Sequence, residues 1–300
     1  MISSVACNGL GKRYGYSWAL QDCTLSLPVE RVIGLVGPNG AGKTTLLHLI
    51  VGLLAPSTGS LKVFGVDPQK QPEQILSKVG FVAQEHPLLK SFTVEDMLTF
   101  GRKMNAHWDS NFAMKRLKQL NIPLHQKTGK LSGGQQAQVA LILALAKNPE
   151  LLILDEPVAS LDPLARREFQ QLLLEIVADG NFTVVMSSHI VADLERFCDY
   201  LVILSTSHVQ VASDVDQLLQ SHKLLIGPRE QAESLMKNAA VLEVTHGERQ
   251  SKIMVRDYSS RLDGLWKVQD VSMEDIVLAY LAQSRMDRQV HTHNKEEVLE

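Results

Sequence analysis

The chain has 300 residues, 45% of them hydrophobic, and a formal net charge of −3 at pH 7, so it can bury one large core or two smaller ones. This charge gives no basic field for gripping nucleic acid, and a function centred on DNA or RNA is not expected. The three cysteines, Cys7, Cys23 and Cys198, lie in no metal-ligand spacing and indicate a reducing compartment. No signal-peptide core opens the sequence, and its apolar runs are shorter than the roughly 20 residues that span a bilayer. We therefore expect a cytoplasmic protein that would depend on other subunits to act across a membrane.

Residues 1–30 alternate apolar and polar side chains in short pieces, which predicts antiparallel strands. Tyr14 lies among them, in the sequence KRYG beside a turn-forming glycine. A tyrosine there could stack on a nucleobase, and a half-buried strand aromatic fits the same spacing equally well.

The next stretch, GPNGAGKTT, follows an apolar run at 32–36 that predicts a buried strand and opens an apolar-periodic segment that predicts a helix. Its residues are Gly37, Pro38, Asn39, Gly40, Ala41, Gly42, Lys43, Thr44 and Thr45. The pattern G-x-x-x-x-G-K-T between a strand and a helix is that of a phosphate-binding loop. Glycines let backbone N–H groups approach the phosphates, and the helix N-terminus adds partial positive charge. We expect Lys43 to neutralise β- and γ-phosphates and Thr44 to bind Mg²⁺, so the chain is predicted to bind a nucleoside triphosphate.

Further elements are predicted in order: a turn at 56–59, strands at 61–65 and 79–84, and a mainly helical segment at 93–125. The second strand ends in Gln84, which by itself is uninformative. Thr93 and Asp96 match a capping box that starts a helix. Trp108 and Phe112 are expected in a small local core.

Two more motifs follow. The sequence LSGGQ, which contains Ser132, Gly133, Gly134 and Gln135, precedes a predicted helix at 139–146 and suggests a second anion-binding helix N-terminus. A lone Ser-Gly-Gly is usually a flexible turn, so the anion-binding interpretation depends on the neighbouring motifs. A buried strand at 151–154 then ends in Asp155 and Glu156, where one carboxylate can hold Mg²⁺ and the other can polarise water. Another predicted strand leads to His189, at the sheet edge where open α/β sheets bind ligands.

These motifs, in this order over residues 2–220, resemble those of the ATP-binding-cassette (ABC) ATPases. The loop at 37–45 is similar to the family's Walker A, Gln84 to its Q-loop glutamine, LSGGQ to its signature, LLILDE to its Walker B, ASLD at 159–162 to its D-loop and His189 to its switch histidine. The resemblance implies an α/β fold, a P-loop ABC ATPase core with a parallel sheet, an antiparallel β subdomain and an inserted helical subdomain at about 85–146. The implied domain ends near residue 220.

The resemblance also assigns roles. The implied catalytic residues are Glu156 as general base, His189, Gln84 and Lys43, and the implied Mg²⁺ ligands are Thr44, Gln84 and Asp155. Nucleotide contacts are implied for Tyr14 (with Tyr16 as fallback), for 37–45 and, from a second antiparallel subunit, for Ser132, Gly133, Gly134 and Gln135. The cofactors are then ATP and Mg²⁺, and the partners are a second ATPase subunit, in a homodimer or heterodimer, and integral membrane permease subunits. Candidates for the groove that docks the permease are Leu88, Leu89, Phe92 and Met97.

The flanking sequences, such as FTVEDMLTF and SSHIVADLERFCD, resemble most closely the ATPases of bacterial drug and antibiotic exporters. Gln136, Ala137 and Gln138, together with Val158, depart from the common family pattern without removing a catalytic group. The expected function is therefore ATP hydrolysis that drives export, at the cytoplasmic face of the membrane. An importer ATPase would share every catalytic residue, and a soluble ABC protein acting on ribosomes or DNA is a further alternative.

After about residue 214 the pattern changes, and residues 221–286 predict a small α+β domain. It comprises a strand at 223–228, a helix at 229–238, a hairpin of strands at 241–244 and 252–256, and a helix that Ser272 and Asp275 cap and that runs through Leu281. About 65 residues are marginal alone, so this domain is expected to pack on the ATPase or its dimer mate, where regulation, dimerisation and covering a sheet edge are all open roles. The polar tail at 287–300 is expected to be disordered.

Overall fold

The computed structural model describes residues 3–180, 182–237, 239–257 and 265–296. Its strands are β1 Ser3–Tyr14, β2 Ser17–Pro28, β3 Val32–Val36, β4 Thr58–Val63, β5 Val79–Val82, β6 Leu151–Asp155, β7 Thr183–Ser188, β8 Tyr200–Ser205, β9 His208–Asp214, β10 His222–Pro228, β11 Ala240–His246, β12 Gln250–Arg256 and β13 Lys267–Gln269. Its helices are α1 Lys43–Ile50, α2 Pro72–Lys78, α3 Val94–Met104, α4 Ser110–Gln119, α5 Gly133–Leu145, α6 Pro163–Asp179, α7 Val215–Ser221, α8 Ala232–Met236 and α9 Met273–Glu296. Among these described helices, none combines the length and the apolar character that crossing a bilayer requires.

A six-stranded sheet in the order β5-β6-β7-β3-β8-β9 forms the centre of the described structure. Its first five strands are parallel, and β9 runs antiparallel to β8. Every residue of β3, β6 and β7 is buried, as expected for strands covered on both faces. The carboxyl ends of these three strands meet at one edge of the sheet, which places the segments that follow them side by side.

Alternate residues of the central strands enter two different cores. Ile33 and Leu35 pack with α1 and with a three-stranded antiparallel sheet in the order β2-β1-β4. Leu152 and Leu154 face the other way and pack with α5, α6 and α9. The predicted parallel sheet and antiparallel β subdomain are therefore confirmed.

Helices α3, α4 and α5 share a third, smaller core. Val94, Leu117 and Ile142 are buried there, and Trp108 and Phe112 pack against them, as expected. At the start of α3, Thr93 and Asp96 form the predicted capping box. The chain thus builds a compact helical unit between β5 and β6, and this unit carries LSGGQ at the start of α5.

The C-terminal part contains a four-stranded sheet in the order β11-β12-β10-β13, which includes the predicted hairpin. Ser272 and Asp275 cap α9 as predicted. However, α9 does not end near Leu281; it continues to Glu296 and so covers most of the segment expected to be a disordered tail, while 297–300 lie outside the described residues. The sequence has no Gly or Pro after residue 273, so nothing in it stops the helix.

Candidate functional site

The phosphate-binding loop connects β3 to α1, and two of its glycines are required by close packing. Gly42 has φ 104°, and a Cβ at this position would overlap the carbonyl oxygen of Ala19 in β2. A Cβ at Gly37 would likewise overlap the carbonyl oxygen of Leu204 in β8. The loop is therefore held between the three-stranded antiparallel sheet and the central six-stranded sheet, and only glycine fits at these two positions.

A cavity of about 420 Å³ opens over this loop at the carboxyl edge of the central sheet. Its lining residues are Ala19, Asn39, Gly40, Ala41, Gly42, Lys43, Thr44, Thr45, Gln84, Glu156, Ala159 and His189. Five segments that are separate in sequence thus converge, namely β2, the loop and the segments that follow β5, β6 and β7. The structure brings Gln84, Glu156 and His189 to the phosphate-binding loop, where the sequence placed them.

Lys43, Glu156 and His189 form a chain of contacts across this cavity. Lys43 Nζ lies 3.1 Å from Glu156 Oε1, and His189 Nδ1 lies 2.8 Å from Glu156 Oε2. Lys43 Nζ also donates to the carbonyl of Gly37 at 2.7 Å. The ammonium group of Lys43 is therefore bonded both by its own loop and by the carboxylate of Glu156.

Burial raises the pKa of Glu156, but the hydrogen bond and charge of Lys43, together with those of His189, outweigh it and leave the pKa below its ordinary value. The carboxylate is therefore ionised at neutral pH. Its backbone is in the left-handed region, with φ 44°, which is uncommon for a glutamate. A strained backbone at the end of a buried strand is frequent in functional sites.

Ser187, which the sequence analysis did not single out, joins the two acidic residues. Its Oγ donates to Asp155 Oδ1 at 2.7 Å and accepts the N–H of Glu156 at 2.8 Å. Asp155 and Ser187 are register partners in β6 and β7, so strand pairing brings them together. The signal in the sequence is a pair of serines, Ser187 and Ser188, that follows the apolar run at 184–186 and directly precedes His189.

Tyr14 and Tyr16 do not lie among the residues that line this cavity. Tyr14 is 51% exposed at the end of β1, where Lys12 Nζ lies 5.5 Å from its ring centroid, and Tyr16 is fully exposed. Base stacking by either tyrosine stays a prediction. Ala19, which follows in β2, is the residue of this hairpin that lines the cavity.

The signature residues also lie outside this cavity. Ser132 caps α5 in a capping box, in which Ser132 Oγ accepts the N–H of Gln135 and Gln135 Oε1 accepts the N–H of Ser132. Ser132 and Gly133 are exposed, whereas Gly134 is buried, and a Cβ there would lie 2.7 Å from that of Ala165 in α6. Gly134 is thus needed for helix packing as well as for any ligand contact.

A second cavity, of about 370 Å³, forms an apolar groove between the central sheet and the helical unit. Its lining residues are Val51, Leu53, Ile75, Leu76, Val79, Phe81, Val82, Ala83, His86, Pro87, Leu88, Met97, Phe100, Gly101, Asn105, Trp108, Ala140, Leu143, Ala144 and Lys147. Of the predicted groove residues, Leu88 and Met97 line it. Leu89 and Phe92 do not, although both are exposed.

Comparisons with known proteins agree with this geometry. A sequence model of the family described as ABC transporter matches residues 20–159. The chain is 35% identical over 210 residues to the Nod factor export ATP-binding protein I of Rhizobium johnstonii, covering 68% of this chain and 67% of that protein. It is 32% identical over 224 residues to the sulfate/thiosulfate import ATP-binding protein CysA of Escherichia coli, covering 72% of this chain and 61% of that protein. A solved dimeric, post-hydrolysis ATP-binding cassette bound to ADP and Pi superimposes with a TM-score of 0.62 and 25% identity, covering 70% of this chain and 98% of that one.

Proposed function

Since this chain belongs to the ABC transporter family and is an ATP-hydrolysing subunit, we propose that it closes with a second ATPase subunit around two ATP molecules to drive export through separate membrane subunits. The observation that carries this proposal is the convergence of Gln84, Glu156 and His189 on the phosphate-binding loop. A loop that only held a nucleotide would not need an ionised carboxylate and a histidine beside it.

The chemistry begins with an exchange of partners at Lys43. When ATP binds, Lys43 leaves Glu156 for the β- and γ-phosphates, and the released carboxylate accepts a proton from the water that attacks the γ-phosphorus. His189 then stabilises the charge that develops on the γ-phosphate. The bond from the γ-phosphorus to the β–γ bridging oxygen breaks, and ADP and phosphate are released. Glu156 is the general base in this scheme because its carboxylate is ionised and already faces the cavity.

The residues also fit Mg²⁺, which would neutralise charge on the phosphates. In the described part of the chain, no group of three or more His, Cys, Asp and Glu side chains could hold a metal alone. Thr44 and Gln84 line the cavity, and Asp155, which is buried directly before the cavity residue Glu156, accepts a hydrogen bond from Ser187. These are oxygen donors, as Mg²⁺ prefers, and Mg²⁺ is usually bound by a few protein oxygens together with substrate phosphates.

The exposed N-terminus of α5 supports pairing with a second subunit. Its N–H groups and helix dipole suit an anion, yet it does not reach the cavity of its own chain. Contact with the γ-phosphate held by a second subunit would complete two sites at once. The partner is a second copy of this chain or a related ATPase.

The apolar groove supports attachment to a membrane subunit. Leu53, Leu76 and Phe100 line it and are 62%, 56% and 48% exposed, which is unusual for large apolar side chains on a surface that faces only water. A short amphipathic helix of a permease would cover them. The protein would thereby be held at the cytoplasmic face of the membrane.

Export is the favoured direction because the exporter-like flanking sequences agree with the 35% identity to the Nod factor export protein. Import is the second candidate, favoured by the 32% identity to CysA. Both directions use the same ATPase chemistry, so the direction is a property of the complete transporter.

The test is to purify the chain with its membrane subunits, reconstitute the complex in liposomes and measure phosphate release. We expect Mg²⁺-dependent ATP hydrolysis that Glu156→Gln abolishes, and an ATP-stabilised dimer of that variant in size-exclusion chromatography with light scattering. Glu150→Gln, at a surface ion pair outside the cavity, is the matched control and should hydrolyse ATP normally. Hydrolysis by Glu156→Gln at the wild-type rate would refute the general-base assignment.

A further inference from the structure

His86 connects the apolar groove to the backbone that follows Glu156. It lies two residues after Gln84, its backbone is left-handed with φ 45°, and its side chain is 5% exposed. The ring lines the apolar groove, and its Nε2 lies 2.9 Å from the carbonyl oxygen of Pro157. Because a carbonyl oxygen only accepts, Nε2 carries the hydrogen and donates it.

The acceptor of this bond is the residue directly after Glu156. Glu156 also has a left-handed backbone, with φ 44°, and its own N–H is held by Ser187 Oγ. One residue further on, the carbonyl of Pro157, in the peptide that joins Pro157 to Val158, is held by His86. Two side-chain bonds therefore bracket the strained residue, and one of them comes from a segment that also forms the groove wall.

We propose that His86 is a positioning residue for ATP hydrolysis, which holds the backbone after Glu156 and makes that hold depend on what occupies the apolar groove. This rests on the proposed roles of Glu156 as general base and of the groove as the docking site for the membrane subunit. A helix bound in the groove packs against the segment that carries His86 and so stabilises the bond that the buried ring makes to the carbonyl of Pro157.

The test compares His86→Phe, which fills the space without a donor, with His86→Gln, which keeps an N–H donor. The rate constant kcat and the KM for ATP are measured for the subunit alone and for its complex with the membrane subunits. For His86→Phe we expect kcat of the complex to fall roughly ten-fold, because a buried carbonyl loses its partner beside the catalytic group, while KM changes little. His86→Gln should restore most of kcat and the stimulation by the membrane subunits.

A matched control is His208→Phe, because His208 Nδ1 also bonds a carbonyl, that of Thr206, at 2.8 Å but away from the site. It should leave kcat unchanged. Normal kcat and normal stimulation in His86→Phe would overturn the inference, and so would equal defects in the Phe and Gln variants. Glu156→Gln in the same assay separates the causes. If it is inactive while His86→Phe is normal, only the role of His86 fails; if it is active, the proposed general base fails as well.

Discussion

The ion pair between Lys43 and Glu156 must open before the lysine can reach a phosphate, so Glu156→Gln should tighten ATP binding. The two side chains are 5% and 9% exposed, and their 3.1 Å contact is therefore little screened by water. Glutamine keeps an oxygen acceptor for Lys43 but removes the charge. Since hydrogen bonds to charged groups contribute about 1.5–3 kcal/mol, losing the charge of one partner lowers the cost of opening by roughly 1 kcal/mol. That corresponds to a Kd for ATP about five-fold lower.

Isothermal titration calorimetry with ATP in EDTA measures this affinity without turnover. Glu150→Gln is the matched control, because Glu150 pairs with Lys78 at 2.8 Å on the exposed surface and should leave the Kd unchanged. A Kd for Glu156→Gln that equals or exceeds that of the wild type would refute the reasoning. An equal shift in the control would show that net charge, rather than the buried pair, governs binding.

Three further predictions concern single residues. Gly42→Ala should weaken ATP binding at least roughly ten-fold in the same titration, because its Cβ would overlap Ala19 and its left-handed φ disfavours a side chain. Ser187→Ala should destabilise the fold by about 1–3 kcal/mol in urea unfolding and slow phosphate release, because it leaves a buried N–H without its acceptor. His222 bonds Tyr280 through Nε2 at 3.1 Å, and burial lowers its pKa. Below pH about 6.5 the unfolded chain therefore binds more protons at His222 than the folded chain does, and the free energy of unfolding should decrease as the pH falls towards the lower pKa of the folded state. His222→Gln should make the free energy of unfolding less dependent on pH.

Clear outcomes would contradict these predictions. Unchanged ATP affinity in Gly42→Ala would mean that the loop can move away from β2. Wild-type stability and turnover in Ser187→Ala would show that water replaces its hydroxyl. An identical pH dependence of urea unfolding in His222→Gln and the wild type would show that other groups govern it.

Buried strands were the part of the fold most open to prediction. β3, β6 and β7 each contain an apolar run, and the phosphate-binding loop, Asp155 with Glu156, and His189 lie at or just after the ends of these strands. No element was predicted between His189 and residue 214, where β8 and β9 lie. Their hairpin turn places Thr206 and Ser207 at φ 49° and 68°, instead of the Asn-Gly pair that usually marks such a turn. β8 has an apolar run at 201–204 and pairs with β3, whereas β9 is defined by its antiparallel pairing with β8.

For the site, the motifs predicted which residues converge on the phosphate-binding loop but not how their side chains contact one another. Lys43 was expected to meet phosphate, and its bond to Glu156 follows from the packing of α1 against the end of β6. His86 carries no local signal, since a histidine two residues after Gln84 acquires meaning only when the fold brings Pro157 to it. Spacing along a chain defines motifs, whereas such contacts depend on tertiary packing.

The largest hydrophobic core has a consequence for how the chain unfolds. Phe169 and Leu172 of α6 and Val191, two residues after His189, share it with Ile276 and Tyr280 of α9. A fragment cut at residue 220 would leave this apolar surface bare and should aggregate. The ATPase core and the C-terminal domain should accordingly unfold in one cooperative thermal transition and not in two independent transitions.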